Sequence, residues 1–150
     1  MTDGGTRKSS KLTRRNLGFL LAKASQRWNE RLYAQFCEAG YADVRPSFGA
    51  ILVPLFEEDG LRLGDLARRA KLSKQTMTTM VRLVEKAGFV TLKPDPQDAR
   101  ATRVYLTGRA RKFRPIAEST LAALEQEARK MTSSEAFAAV EGWLAHFTEF

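Results

Sequence analysis

Cysteine and histidine occur once each, as Cys37 and His146. A single thiol closes no disulfide within the chain, and no group of His, Cys, Asp and Glu stands at metal-ligand spacing. Neither residue has a nucleophile or base placed to work with it, and no glycine-rich loop is present to cradle a phosphate. The expectation is therefore a protein with no catalytic residues, no metal and no cofactor, and not an enzyme. Long apolar runs are missing too. The stretch TRRNLGFLLAKAS (13–25) imitates a twin-arginine export signal, but its apolar core, Leu17 to Ala22, is cut off by Lys23. Such a core wants roughly 7–15 residues. Leu17, Leu21, Ala24, Trp28, Leu32 and Phe36 instead continue at helical spacing past any cleavage point, which marks a helix. Nothing approaches the roughly 18–20 apolar residues of a membrane span, so no membrane partner is expected. With one thiol, a cytoplasmic, reducing setting fits.

Acidic residues are scarce in one place. The whole chain carries 25 Lys and Arg against 17 Asp and Glu, a net charge of +8 and a pI near 10.0. From Arg62 to Arg114 there are 14 basic and four acidic residues, a net of +10, while the remainder is slightly negative. One basic block beside a near-neutral remainder is the footprint of nucleic-acid binding. At 150 residues the chain is one compact unit, or a small module with dimerising extensions, and needs neither disulfide nor metal to fold.

The polar, basic residues 1–12 read as a disordered arm whose contact with DNA is left open (Arg7, Lys8, Lys11, with Arg14 and Arg15 just beyond). A long amphipathic helix is expected over Thr13–Ala39, closed by Gly40. A buried helix follows within 45–60, with Pro46 in its first turn and Pro54 ending or kinking it. Residues 13–60 thus form an N-terminal dimerisation helix and a buried helix. Two short helices fit Asp65–Ala70 and Ser73–Ala87, with Ser73 as N-cap and Gly88 in the left-handed position. Strands Phe89–Lys93 and Thr102–Leu106 flank the proline-bounded loop PDPQDARA and make a hairpin. From Thr107 the chain is helical with an interruption at Pro115, and Ser133 or Ser134 caps a last helix to about Phe147.

On a wheel of roughly 100° per residue, Met77, Met80, Val81, Val84 and Ala87 share one side of the second short helix. Lys74, Gln75, Thr78, Thr79, Arg82 and Lys86 share the other, with no acid among them. A helix entering a major groove must avoid carboxylates, which would face phosphates. Gln suits adenine, Arg or Lys suits guanine, and a threonine methyl suits the thymine methyl. Ser73 at the helix N-terminus suits a phosphate. The hairpin after this helix is then the wing of a winged helix-turn-helix spanning 61–107. Arg100 is the candidate for the minor groove, where negative potential is enhanced. Arg103 or Lys93 would take phosphates, and Asp98 would stabilise the wing by holding Arg100 or a nearby backbone amide.

These residues resemble the MarR family of bacterial transcription regulators. Asp98-x-Arg100-Ala101, Val104 and Leu106-Thr107 carry the resemblance most specifically, and Leu83-Val84-Glu85-Lys86-x-Gly88-Phe89-Val90 is a second signature. Two positions depart from the pattern: Ala110 stands where the family has glycine, and Leu92 where a basic residue is common. The resemblance implies a mostly α fold with a short β-hairpin wing and with N- and C-terminal dimerisation helices (108–150 at the C-terminus). It implies a homodimer, probing a pseudopalindromic operator in double-stranded DNA with recognition helices about one turn, roughly 34 Å, apart. The many apolar residues of the terminal helices, among them Leu17, Phe19, Trp28, Leu121, Trp143 and Phe147, fit that, since a small central unit cannot cover them all. It further implies a repressor released by a small aromatic effector, for which Trp28, Arg31, Tyr33 and Phe48, with the Arg111–Arg114 region, would border the pocket.

Two other readings compete. The basic block alone fits a non-specific architectural DNA binder, and Cys37 admits a redox-sensing regulator. The mixed hydrogen-bonding face of Gln75, Thr78, Thr79 and Arg82 favours base reading over charge alone.

Overall fold

The computed structural model describes residues 12–150; the arm expected over 1–12 lies outside the described residues but for its last. Helix α1 (Leu17–Glu38) begins where the Asn16 side chain accepts the Gly18 N–H at 3.0 Å. That cap sets the start four residues after the expected Thr13. Gly40, at φ 89°, turns the chain off the other end. A single 3-10 turn, Pro46–Phe48, leads into α2 (Gly49–Glu57). Pro54 does not end α2, which runs three residues further. Ile51, Leu52 and Leu55 are buried on the same helix, and their packing outweighs one missing backbone hydrogen bond.

The next element was not foreseen. Leu61–Arg62 is a two-residue strand, β1, that enters α3 (Leu63–Arg69) directly. The turn from α3 to α4 (Lys74–Lys86) puts Lys71 at φ 54°, the one non-glycine in the left-handed region among the described residues. Ser73 caps α4 by accepting the Thr76 N–H at 3.1 Å, and Gly88 at φ 80° redirects the chain into β2 (Val90–Pro94). Strand β3 (Thr102–Leu106) lies between the other two, antiparallel to both, in the order β1-β3-β2. Leu92 pairs with Val104 and Val104 with Leu61. This row closes one face of the sheet over the core.

Met77, Val81 and Val84, one stripe of α4, are fully buried against Leu66, Val90 and Val104. Each such side chain stabilises the fold by about 1.5–3 kcal/mol, and together they fix which side of α4 faces out. Phe89 and Phe113 meet edge to face at 5.6 Å. They join this unit to α5 (Gly108–Arg129), which Thr107 caps through the Ala110 N–H.

Helix α5 is continuous through Pro115, contrary to the expected interruption. Arg111, whose carbonyl loses its donor, and Pro115 are both exposed, so water can satisfy that carbonyl. Buried Ala110 and Phe113 and half-buried Ile116 and Ala117 hold the helix to the core on either side. Helix α6 (Ser134–Thr148), capped by Ser133, buries none of its residues. Leu17, Phe19 and Leu20 of α1 and Val140, Trp143, Leu144 and Phe147 of α6 are exposed.

Candidate nucleic-acid interface

The outer face of α4 is what its buried stripe leaves over. Lys74, Gln75, Thr79 and Arg82 are exposed and Thr78 is half-buried. Both threonine hydroxyls are already engaged: Thr78 donates to the Lys74 carbonyl at 2.8 Å and Thr79 to that of Gln75 at 3.2 Å. Their methyls are the groups left for a partner. Ser73 Oγ is committed to the cap and also donates to Thr76 Oγ1 at 2.8 Å. Lys74, Arg82, Lys86, Lys93 and Arg100 make no ion pair among the described residues. Arg62, Arg68, Arg103, Arg109, Arg111 and Arg114, from the same basic block, all do. Of the block's cations without an ion pair among the described residues, the first five lie on α4 and the wing, and Lys71 and Lys112 lie outside them.

The loop at the tip of the wing is held by its aspartates. Asp98 accepts the Arg100 N–H at 3.0 Å, and Asp95 accepts that of Gln97 at 2.9 Å. The Asp95 N–H bonds the Ala101 carbonyl, which closes the loop. Arg100 stays exposed at its end. Between the wing, α3 and the start of α4 lies an open cleft of about 500 Å³, lined by Arg62, Arg68, Lys74 and Arg100 with Asp65 among them. Arg68 is paired with Asp65. With four basic residues against one acid, the lining of this cleft suits a phosphate backbone.

Arg62 and Arg68 were not among the expected contacts. Their position in the basic block was the available signal. Asp95 was missed as well. Its carboxylate is buried, with Arg62 Nε at 2.7 Å and Arg103 Nε at 3.2 Å from Oδ2. The Gln97 N–H holds its carboxyl below the usual carboxylate range, helped by the charges of Arg103 and Arg62 and opposed by burial. Arg103 also donates to the Gly60 carbonyl at 2.8 Å. Of the two residues expected at phosphates, Arg103 is thus turned back into the wing base. Lys93 stays exposed, its ammonium 5.6 Å from the centre of the Tyr105 ring.

The residues expected around an effector separate. Trp28 and Phe48 line an apolar cavity of about 240 Å³ with Phe36, Arg45, Leu52 and Phe113. Arg31 does not reach it: one step round α1, it pairs with Glu127 of α5. Tyr33 donates to the Ala42 carbonyl at 2.7 Å and its ring lies under the Arg45 guanidinium. Arg111 pairs with Asp59, and Arg114 with Glu118 and the Phe56 carbonyl. Cys37 is half-buried.

Residues 47–102, from the 3-10 turn through the wing loop, match the model of the MarR family. Over that segment the chain is similar to the MarR family. Members of this family are transcriptional regulators, not enzymes. An uncharacterised HTH-type transcriptional regulator of Bacillus subtilis, YcgE, is 33% identical over 72 residues. That match covers 45% of this chain and 47% of the relative, so the chain spans about half the length of the curated relative it matches. The fold is shared with solved MarR-type structures at lower identity. The S. aureus MepR–DNA complex superposes with a TM-score of 0.77 at 19% identity, over 89% of this chain and 96% of that one. PcaV of Streptomyces coelicolor, a transcriptional regulator solved with its natural ligand, gives 0.76 at 18%, over 94% and 98%. Among the described residues no helix is long and apolar enough to cross a membrane.

Proposed function

We propose that this chain is a member of the MarR family and a homodimeric, cytoplasmic DNA-binding regulator that represses transcription from a pseudopalindromic operator. The observation that carries it is the set of five cations on α4 and the wing without an ion pair among the described residues, of which Lys74 and Arg100 line the open cleft between them. In this reading 61–107 is the DNA-binding region, while 13–60 and 108–150 supply the dimer. Helix α4 enters the major groove with Gln75, Thr78, Thr79 and Arg82 toward base edges, and Ser73 and Lys74 meet the backbone at its start. Arg100 reaches the adjacent minor groove. Lys93, Arg62 and Arg68 face phosphates, and Arg103 serves with Asp95 and Asp98 to hold the wing.

MepR, a structural neighbour, was solved with DNA, and the same fold here supports that mode of docking. The cavity beside Trp28 and Phe48 is the place for a small aromatic effector. PcaV, of the same fold, was solved with a ligand, and the apolar lining here suits a ring.

The test is binding of the purified protein to fragments selected from genomic DNA, compared with scrambled DNA at 50 and 200 mM salt. A selected site preferred by roughly a thousandfold or more is expected. Steep salt dependence without preference would replace this reading with an architectural binder.

A further inference from the structure

The start of α5 holds a contact that the DNA-facing surface does not use. Arg109 grips Asp43 with both terminal nitrogens, at 2.7 and 2.9 Å. It also donates to the carbonyl of Ala87, the C-cap of α4. Its guanidinium lies 4.6 Å from the centre of the Phe89 ring and 5.7 Å from that of Tyr41.

Each of these partners leads to the apolar cavity. Asp43 immediately precedes Val44, Arg45 and Pro46, which line it. Phe89 and Tyr41 both pack on Phe113, and Phe113 with Phe36, 4.9 Å apart, forms another part of the lining. Two parts of one cavity wall thus converge on a single guanidinium, and that guanidinium holds the end of the recognition helix. The chain turns there at Gly88, whose carbonyl accepts from Thr107 at 2.6 Å.

The Asp43–Arg109 pair is a poor device for stability alone. Its side chains are 46% and 39% exposed, and exposed pairs contribute little. A planar, five-donor fork gripping a carboxylate bidentately does fix geometry. We propose that Arg109 is a positioning residue that couples the state of the cavity to the setting of α4, through Asp43 on one side and Phe89 on the other. This rests on the reading of the cavity as an effector site and of α4 as the recognition helix. A change in the 43–46 segment or in the Phe113 ring then moves the Ala87 end of α4 relative to the wing.

The cavity can be filled without knowing its ligand. Gly49 lines it, has ordinary helical φ of −56°, and a Cβ there meets no atom within 4 Å. Gly49→Leu is the surrogate occupant. Affinity for a selected operator fragment is measured for the parent and for Gly49→Leu. Both are then repeated with Asp43→Asn, which retains the shape of the half-exposed side chain, and with Arg109→Gln.

Filling the cavity is expected to change operator affinity about tenfold in the parent, within the usual range of coupling between sites, and less than about twofold once the clasp is cut. Amide exchange of residues 84–90, measured without DNA, makes the same comparison and is expected to respond to Gly49→Leu only when the clasp is intact. A purely structural role for Arg109 would leave the ratio unchanged whatever happened to affinity. An equal response with and without the clasp overturns the inference and leaves the cavity reading standing. No response to Gly49→Leu in the parent, in affinity or exchange, overturns the cavity reading and this inference with it. Exchange coupling without specific DNA binding by the parent keeps the clasp and removes the operator reading.

Discussion

Three cations share one row across the sheet: Arg62 on β1 pairs with Arg103 on β3, and Arg103 with Lys93 on β2. Like charges directly opposite one another destabilise a sheet. Asp95, buried at the end of the wing loop with Arg62 and Arg103 on its Oδ2, offsets that repulsion. The Gln97 N–H and the two guanidinium charges lower the Asp95 carboxyl below its ordinary 3.8 against the opposing effect of burial. A group with a lowered folded pKa stabilises the fold above its unfolded value and loses that contribution as pH falls through the folded one. The wing is therefore expected to stay intact to about pH 4 and to loosen below it, read from the amides of Gln97 and Ala101. Asp95→Asn should bring that loosening to neutral pH and lower the melting temperature; an unchanged wing would show that the row needs no counter-charge.

Gly60 bears on the same face of the sheet, where Arg103 donates to its carbonyl. It has φ 75°, and a Cβ there would stand 2.7 Å from Cε1 of Tyr105. Gly60→Ala is expected to cost about 1–3 kcal/mol, measured by denaturant unfolding.

At the scale of elements, the proposed function has α4 and the wing divide the work of binding. Helix α4 presents an amide, threonine methyls and one arginine, groups that discriminate bases, whereas Arg100 is a single exposed charge on a loop. Arg82→Ala is expected to lose about 1–3 kcal/mol of preference for operator over scrambled DNA. Arg100→Ala should weaken both more evenly. Competition binding at fixed salt separates these, and equal losses for both variants on both DNAs would sink the division.

The orientation of α4 was legible in the sequence because its apolar residues repeat at the helical period and its polar face is mostly basic and neutral, with Glu85 as its one acid. Ser73 and Gly88 bounded it for the same local reasons. The strand Leu61–Arg62 was not legible. Two residues carry no period, and what makes them a strand is pairing with Val104 and Arg103, more than forty residues away. The helices themselves were foreseen, but not that α2 runs past Pro54 and α5 past Pro115, because local penalties at proline were weighed without the packing that overrides them. Arg31 and Tyr33 were grouped with Trp28 and Phe48 through the resemblance, but rotation along α1 and pairing with α5 and Ala42 separate them. A cavity is a property of how elements dock, and the resemblance indicated only its neighbourhood.

At the scale of the molecule, the terminal helices are unfinished. Helix α6 buries none of its residues, while Trp143 and Phe147 stack at 5.1 Å on an exposed face continued by Val140 and Leu144. Leu17, Phe19 and Leu20 are exposed at the start of α1. Contiguous apolar surface of this kind marks an interface, and in the proposed homodimer a second copy covers it. That dimer also sets the electrostatics, because two winged units double the phosphates neutralised. The slope of log affinity against log salt is about −0.9 per phosphate neutralised on duplex DNA, so a dimer should show about twice the slope of a monomer.

Trp143→Glu and Leu144→Glu place carboxylates in the centre of the exposed α6 face without touching α4 or the wing. The doubly substituted protein is expected to sediment as a folded monomer at concentrations where the parent is dimeric. Its salt slope on operator DNA should fall to about half, and most of its preference for a two-half-site operator over a single half-site should be lost. Full slope and preference in a protein shown to be monomeric would mean that one winged unit reads the site alone, and the terminal helices would need another partner.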